Sequence, residues 1–413
     1  MRLLIAGGGT GGHIYPALAV ARSLRARAGA SDPSPAGPAG RDAVELSWLG
    51  GHRGLEASIV PAAGIPLRRL WLRSLRSAGR DVHVVLDPVR LALSVPQAMA
   101  LLLVRRPAAI FTTGGYVAIP VLAAALVLRI PSVLWDGNVV PGRSARLVAR
   151  WATAVAVSHA ETAAALGHPR AYVTGTPIRP TGAVDADAAR DRFGARPGER
   201  ILLVFGGSQA VRRLNEAVAA TLPRLVARVR VVHVTGDDGY GPALTAREAL
   251  PADRRDRYRP FPFLHEDMPA ALAAADLAVG RAGASTLAEA AAFALPLVIV
   301  PYPHAAGHQR RNAEAYVEAG AGILVEDEAF DADALVEAAG LLADPARHAR
   351  MSAAARDLAR PGAADAVADV LLAAARGEPL PAAEIVAATA ASAPATATAP
   401  TAASAPTTGG PRP

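Results

Sequence analysis

The stretch Gly7-Gly8-Gly9-Thr10-Gly11-Gly12-His13 constrains the fold of this chain more than any other. A β-forming apolar run, Leu3-Leu4-Ile5-Ala6, enters it, and residues 14–25 leave it with Ile14, Leu18, Ala21 and Leu24 at helical spacing. That is a strand, a tight turn and a helix, the opening unit of a parallel α/β sheet. Five glycines let the backbone turn with positive φ and approach a ligand closely. The helix beyond offers unpaired N–H groups and the positive end of its dipole, a combination that binds phosphate.

The letters fit G-x-G-x-x-G through Gly7, Gly9 and Gly12, but a dinucleotide site also needs an acidic residue closing the second strand. Glu45-Leu46-Ser47-Trp48-Leu49-Gly50-Gly51-His52 ends without one, and Asp32 stands inside a Pro/Ser loop. A Walker A loop is excluded because His13 occupies the place of its lysine. A ligand-free turn would concentrate glycines at an entropic cost with nothing gained. A phosphate-bearing sugar substrate is the reading that remains.

The second half begins the pattern again. Ile201-Leu202-Leu203-Val204-Phe205 runs into Gly206-Gly207-Ser208-Gln209 and a helix carrying Leu214, Val218 and Leu222. Further on, Leu277-Ala278-Val279 runs into Gly280-Arg281-Ala282-Gly283-Ala284-Ser285-Thr286-Leu287-Ala288-Glu289. With 413 residues, the chain is long enough for two such domains. Each is predicted to be a doubly wound, Rossmann-like sheet, with a ligand cleft between the loops at the strand C-termini. After about Arg376 the sequence is Ala, Pro and Thr with almost no charge, and composition predicts a disordered tail over 377–413.

Several function classes are disfavoured at this stage. Cysteine is absent, which removes disulfides, thiolate metal sites and a thiol nucleophile. The N-terminus runs directly into the first strand, so no export signal is expected. The longest apolar stretches, 91–104 and 119–127, are too short or too interrupted by proline to span a bilayer. A net charge of +7 suits an anionic partner, but no aromatic-interleaved basic patch accompanies it, so nucleic acid ranks last. In residues 71–106 many arginines, among them Arg73, Arg76, Arg80, Arg105 and Arg106, are mixed with apolar side chains. Such a segment either lies on an anionic membrane or is a pair of packed helices with solvated arginines.

The segment Gly283-Ala284-Ser285-Thr286-Leu287-Ala288-Glu289 is the sharpest local constellation after the first loop. A diphosphate could sit at this helix mouth while Glu289, one turn in, holds a ribose diol. The same letters, Thr286-x-x-Glu289, also make a capping box. Two Asp-x-Asp sequences, at Asp185 and Asp331, fall at polar helix starts, where Asp is expected as an N-cap rather than as a metal ligand. No metal or cofactor is therefore expected, and the diphosphate charge falls to helix N-termini, Ser208 and an arginine such as Arg179.

Gly8-Gly-Thr-Gly-Gly-His13, Thr113-Gly-Gly-Tyr116, Asn138 with Val140-Pro-Gly142, Gly175-x-Pro-Ile-Arg179, Gly206-Gly-Ser-Gln209, Arg281-x-Gly-Ala-Ser-Thr-x-x-Glu289 and His308-Gln309 with Asn312 occur in the order of one family. From Met1 to about Ala374 the chain resembles the MurG family of peripheral-membrane N-acetylglucosaminyltransferases. The resemblance implies a GT-B fold and inverting, metal-independent transfer from UDP-N-acetylglucosamine to the muramoyl hydroxyl of lipid I, at the cytoplasmic face of the membrane. By likeness the donor uses Thr10, Gly11, Gly12, Asn138, Arg179, Ser208, Ala284, Ser285, Thr286, Glu289 and Gln309, with Leu264 near the uracil. The acceptor side includes Gly115, Tyr116 and Asp136. His13 is the expected general base, its neutral form favoured by the helix N-terminus.

The expected division is 1–178 for the acceptor and membrane, rejoined by a helix near 361–376, and 179–360 for the UDP-sugar. Trp135-Asp136-Gly137-Asn138 departs from the family's His-Glu-Gln-Asn. So do Ala210 in the Gly206 loop and Ala118-Ile119 after the tyrosine. A UDP-N-acetylglucosamine 2-epimerase is the alternative of another class, and a nicotinamide oxidoreductase is more distant.

Overall fold

The structure, a computed structural model, describes residues 1–29, 44–52, 54–72, 83–179, 184–206, 212–303 and 307–392, and only the backbone at 83–88 and 265. Strands and helices alternate from the start: β1 (Arg2–Ala6), α1 (Gly11–Gly29), β2 (Glu45–Gly50), α2 (Glu56–Ala62), β3 (Leu67–Arg69), α3 (His83–Val104) and β4 (Ala109–Thr112). The first half continues with α4 (Gly115–Val127), β5 (Ser132–Asp136), α5 (Arg143–Val148), β6 (Ala154–Val157), α6 (Ala160–Leu166) and β7 (Ala171–Val173). These strands form a parallel sheet in the order β3-β2-β1-β4-β5-β6-β7.

The second half opens with α7 (Ala186–Arg192), β8 (Ile201–Phe205), α8 (Arg212–Val226), β9 (Arg230–Val234), α9 (Asp237–Glu248) and β10 (Tyr258–Phe261). It goes on through α10 (Met268–Ala274), β11 (Leu277–Gly280), α11 (Ala284–Ala292), β12 (Leu297–Ile299), α12 (His308–Glu318) and β13 (Gly322–Leu324). This sheet is also parallel, in the order β10-β9-β8-β11-β12-β13. The expected pair of doubly wound sheets is thus observed. In each, the order reverses between the first strand and its later neighbour, β1 with β4 and β8 with β11, and the crevice beyond such a reversal is where ligands bind.

The strands read as continuous apolar runs because helices cover both faces, as all five buried residues of Ile201–Phe205 illustrate. Ile14, Leu18, Ala21 and Leu24 of α1, predicted as its core face, pack on Leu3, Ile5 and Trp48. The chain closes with α13 (Ala332–Ala339), α14 (Pro345–Leu358), α15 (Ala363–Arg376) and α16 (Ala383–Ala391). Helix α15 returns to the first sheet, where Ala366, Val367, Val370 and Leu371 join the cluster around Leu3 and Ile14. Ser23 and Arg27 of α1 tie it down through Asp365 and Asp369.

Disorder over 377–413 does not hold throughout. Residues 383–391 form α16, which packs on α15 and β7, buries Val386 and Ala390 and accepts the Gly362 N–H at Ala390 O (3.0 Å). Composition misleads here because an alanine-rich segment has high helix propensity and needs only one short apolar face, at i and i+4, to dock. Residues 393–413 lie outside the described set.

Candidate functional site

The site is assembled from loops at the C-terminal ends of β1, β4, β5 and β11. After β1, the Thr10 carbonyl accepts the N–H groups of His13 and Ile14, which starts α1 at Gly11 and Gly12. Trp48 on the neighbouring strand holds the loop, its indole N–H donating to the Gly7 carbonyl (2.8 Å). His13 sits at the mouth of α1, and Nδ1 lies 2.7 Å from the Thr113 carbonyl after β4. A carbonyl only accepts, so the proton is on Nδ1 and the basic lone pair is on Nε2. Thr113 answers with its hydroxyl on the His13 carbonyl (2.9 Å). This reciprocal pair fixes the ring between two loops.

A residue that sequence reasoning missed lies beneath the first loop. Glu56, at the start of α2, is fully buried and accepts the N–H of Gly9 at Oε2 (2.9 Å) and of Gly51 at Oε1 (3.0 Å). The sequence predicts a phosphate cradle in this loop, yet its Gly9 amide is held by a carboxylate of the protein itself. One signal existed: Glu56 is the sole charged residue between Arg53 and Arg68. Tyr116 stands beside it at the start of α4, and burial, reinforced by the Glu56 charge, pushes the phenol pKa upward. Gly115 precedes it with φ of +73°, and His13 Nε2 is 3.5 Å from where a Cβ at Gly115 would stand.

Asp136 closes β5 and organises its own loop. Its Oδ1 accepts from Asn138 N (3.0 Å) and Nδ2 (3.1 Å), and its Oδ2 from Gly142 N (2.9 Å). Asn138, so oriented, meets the second half: its Oδ1 accepts from Asn312 Nδ2 (3.1 Å), while Asn312 Oδ1 accepts Val139 N–H (3.0 Å). Asn312 also donates to the Ala282 carbonyl (3.1 Å), and His308 donates to the Val140 carbonyl (2.9 Å). The two halves therefore touch through amide side chains at the cleft floor.

On the far side, α11 begins at Ala284, with Gly283 as an N-cap that supplies no side-chain hydrogen bond. Thr286 lies inside the first turn, so the capping-box reading of Thr286 and Glu289 fails. Ser285 Oγ is buried without a hydrogen-bond partner, an arrangement that costs stability unless a ligand supplies one. Burial pushes the Glu289 carboxyl up, against an opposing effect of Arg179. The Arg179 guanidinium is also 5.7 Å from the ring centre of Tyr15 on α1, a second residue the sequence did not single out. Gln309 ties two loops together, its Oε1 accepting Ala282 N–H (3.2 Å) and Tyr302 N–H (2.9 Å). Leu264 is buried in the second core after β10. Ser208, with Gln209 and Ala210, lies outside the described residues.

Among the described residues no three His, Cys, Asp or Glu side chains group as metal ligands. Asp185 and Asp331 are the expected N-caps, each accepting two backbone N–H groups at the start of α7 and α13. What the cleft offers is a tautomer-fixed imidazole on one wall and, on the other, a helix mouth with an unpartnered hydroxyl, a carboxylate and a guanidinium. Such a set can hold an anionic leaving group and remove a hydroxyl proton.

Comparison with known proteins agrees with this architecture. The glycosyltransferase family 28 N-terminal domain matches residues 3–31 and 39–157, and the family's C-terminal domain matches residues 201–369. The UDP-N-acetylglucosamine--N-acetylmuramyl-(pentapeptide) pyrophosphoryl-undecaprenol N-acetylglucosamine transferase of Moorella thermoacetica is 37% identical, covering 90% of this chain and 98% of that protein. The namesake from Symbiobacterium thermophilum is 38% identical, over 89% and 95%. The crystal structure of Acinetobacter baumannii MurG superposes with a TM-score of 0.68 at 25% identity, over 90% of this chain and 99% of that one.

Proposed function

Because this chain belongs to the MurG family of glycosyltransferases, we propose that it moves N-acetylglucosamine from UDP-N-acetylglucosamine to the muramoyl hydroxyl of lipid I, undecaprenyl-diphospho-muramoylpentapeptide, making lipid II for peptidoglycan. The observation that carries the mechanism is the His13–Thr113 pair. With Nδ1–H committed to a carbonyl, Nε2 takes the proton of the acceptor hydroxyl as its oxygen attacks the anomeric carbon. The bond to the UDP oxygen breaks on the opposite face, so a single displacement inverts the configuration. The charge that grows on UDP is met by the N–H groups and dipole at the mouth of α11, by Ser285 and by Arg179. Glu289 holds the ribose hydroxyls, and Asn138 and Gln309 border the sugar. The protein's own groups supply this charge stabilisation, and no metal or cofactor is invoked.

The acceptor is a lipid, so the enzyme works at a membrane surface, here assigned to the cytoplasmic face. Among the described residues no helix is long and apolar enough to cross a bilayer. At the end of the first sheet that carries the site loops, Trp71 after β3 and Val89 and Leu93 of α3 are instead exposed, and the Arg90 guanidinium lies 5.6 Å from the Trp71 ring centre. Arg68, Arg69 and Arg90 accompany them, which supports a peripheral, anionic-lipid docking face. Arg73, Arg76 and Arg80, read as part of this segment, lie outside the described residues.

The test is product analysis with radiolabelled UDP-N-acetylglucosamine. Labelled lipid disaccharide and free UDP, formed only when the lipid acceptor is present, are the expected products. Conversion of the donor alone to its manno isomer would establish the 2-epimerase instead.

A further inference from the structure

Glu56 stands apart from the donor residues, and its surroundings are built around it. A Cβ at Gly8 would lie 2.4 Å from Glu56 Oε1, one at Gly54 2.1 Å from Oε2, and one at Gly50 2.9 Å from its Cγ. Three glycines are thus needed simply to admit this carboxylate. A Cβ at Gly51 would strike the Tyr116 hydroxyl at 2.4 Å, and one at Gly9 would lie 3.2 Å from the Tyr116 ring. The tyrosine covers the two amides that Glu56 receives. Backbone N–H groups converging from two glycine turns are the usual nest for a phosphate, and here the nest is occupied by the chain itself. Taking a carboxylate fully out of water is costly, and Glu56 is fully buried with two backbone N–H groups on its oxygens.

We propose that Glu56 is a positioning residue for the acceptor: an internal anion that locks residues 7–9, 50–51 and 116 together, so that the acceptor diphosphate is directed away from Gly9 and onto the mouths of α1 and α4. The consequence is directional. The fixed charge repels a diphosphate from the floor of the loop, while α1 starts at Gly11 and Gly12 and α4 starts at Gly115, beside the His13 ring. Glu56 touches neither substrate, and it acts by holding the loop that carries His13 and the ring of Tyr116.

The inference rests on the proposed transfer to a lipid diphosphate, and the test separates the two. Glu56→Gln keeps the shape but presents an NH2 to one of the two N–H groups, so one hydrogen bond becomes a donor–donor clash. In steady-state assays with a soluble lipid I analogue, the expected result is a KM for acceptor raised about tenfold or more with kcat lowered. The KM for donor and the Kd for UDP should stay within about twofold of the parent. Glu56→Ala should lose acceptor use more fully and regain part of it in formate, which fits the vacated nest. Formate should not help Glu56→Gln, where the nest is filled. Should Glu56→Ala not fold, Gly8→Ala displaces the carboxylate while retaining it, and the same acceptor-selective loss is expected. Parent-like acceptor KM in Glu56→Gln, or equal losses for donor and acceptor, would overturn the role of Glu56. Failure of the parent itself to glycosylate the analogue would instead overturn the reaction.

Discussion

Two of the molecule's strand–glycine loop–helix turns, after β1 and after β11, look alike in sequence and differ in what fills them. After β1, the Gly9 amide is occupied by the buried carboxylate of Glu56. After β11, Gly283 caps α11 without a side-chain bond, and the Ser285 hydroxyl is buried without a partner. The first turn is finished before any ligand arrives, whereas the second is left incomplete. A glycine-rich turn therefore reports close approach of something to the backbone, and only the fold tells whether that something is a substrate or part of the chain.

The largest expected effect tests the finished side. His13→Ala should lower kcat by about two to four decades while leaving donor affinity little changed, the usual worth of a general base. Turnover near that of the parent would remove His13 from the chemistry and reduce the His13–Thr113 pair to a brace.

The incomplete side is tested next through Glu289. A carboxylate that receives two ribose hydroxyls makes charged hydrogen bonds worth about 1.5–3 kcal/mol. Glu289→Ala should weaken UDP binding by roughly ten- to a hundredfold, measured by calorimetry. Because Thr286 does not cap α11, Glu289→Gln no longer has a capping-box role to preserve. Parent-like UDP affinity in that variant, with no discrimination against 2′-deoxy-UDP, would detach Glu289 from the ribose.

Lipid docking is an expected property of the first half alone. Replacing Val89 and Leu93 by Ser removes apolar surface worth about 1–3 kcal/mol on insertion, so partitioning onto anionic vesicles should fall roughly tenfold. Added salt should weaken the remainder. Sedimentation with vesicles reads both, and equal binding by variant and parent would count against the patch.

The smallest effect is the most diagnostic of an incomplete site. Ser285→Ala removes a buried hydroxyl that has no partner in the free protein, so stability should rise by about 1 kcal/mol. UDP binding should fall by roughly three- to tenfold as the ligand loses a donor. A loss of stability with parent-like UDP affinity would mean that the hydroxyl serves the fold rather than the nucleotide.

These contrasts explain what could be read in advance. Strands such as Ile201–Phe205 were legible because a parallel sheet buries both faces and leaves a continuous apolar run. The N-caps at Asp185 and Asp331 were legible because capping is local, acting two or three residues away. Glu56 was not, because its partner at Gly9 is 47 positions distant and is a backbone amide, which carries no side-chain signature. Tyr15 was hidden for a similar reason, since its meaning depends on Arg179 arriving from the connector. The helix at 383–391 escaped because its alanines resemble a linker until α15 supplies a surface for Val386 and Ala390. Ser208 was named among the donor residues and lies outside the described set.

The return of α15 to the first sheet sets an order in time. Ala366, Val367, Val370 and Leu371 share a core with Leu3, Ile5 and Ile14, so the earlier-made sheet lacks one of its walls until α15 has been made. Domains generally mature in the order of their synthesis, but here the earlier half must wait for the later one. During that wait the α15-facing side of α1, including Ser23 and Arg27, lies open to chaperones or to neighbouring nascent chains. A stop codon before Ala363 would leave the second sheet's strands whole and the first sheet permanently without this wall, so nonsense damage far from His13 would silence the enzyme by denying α1 a surface to close on.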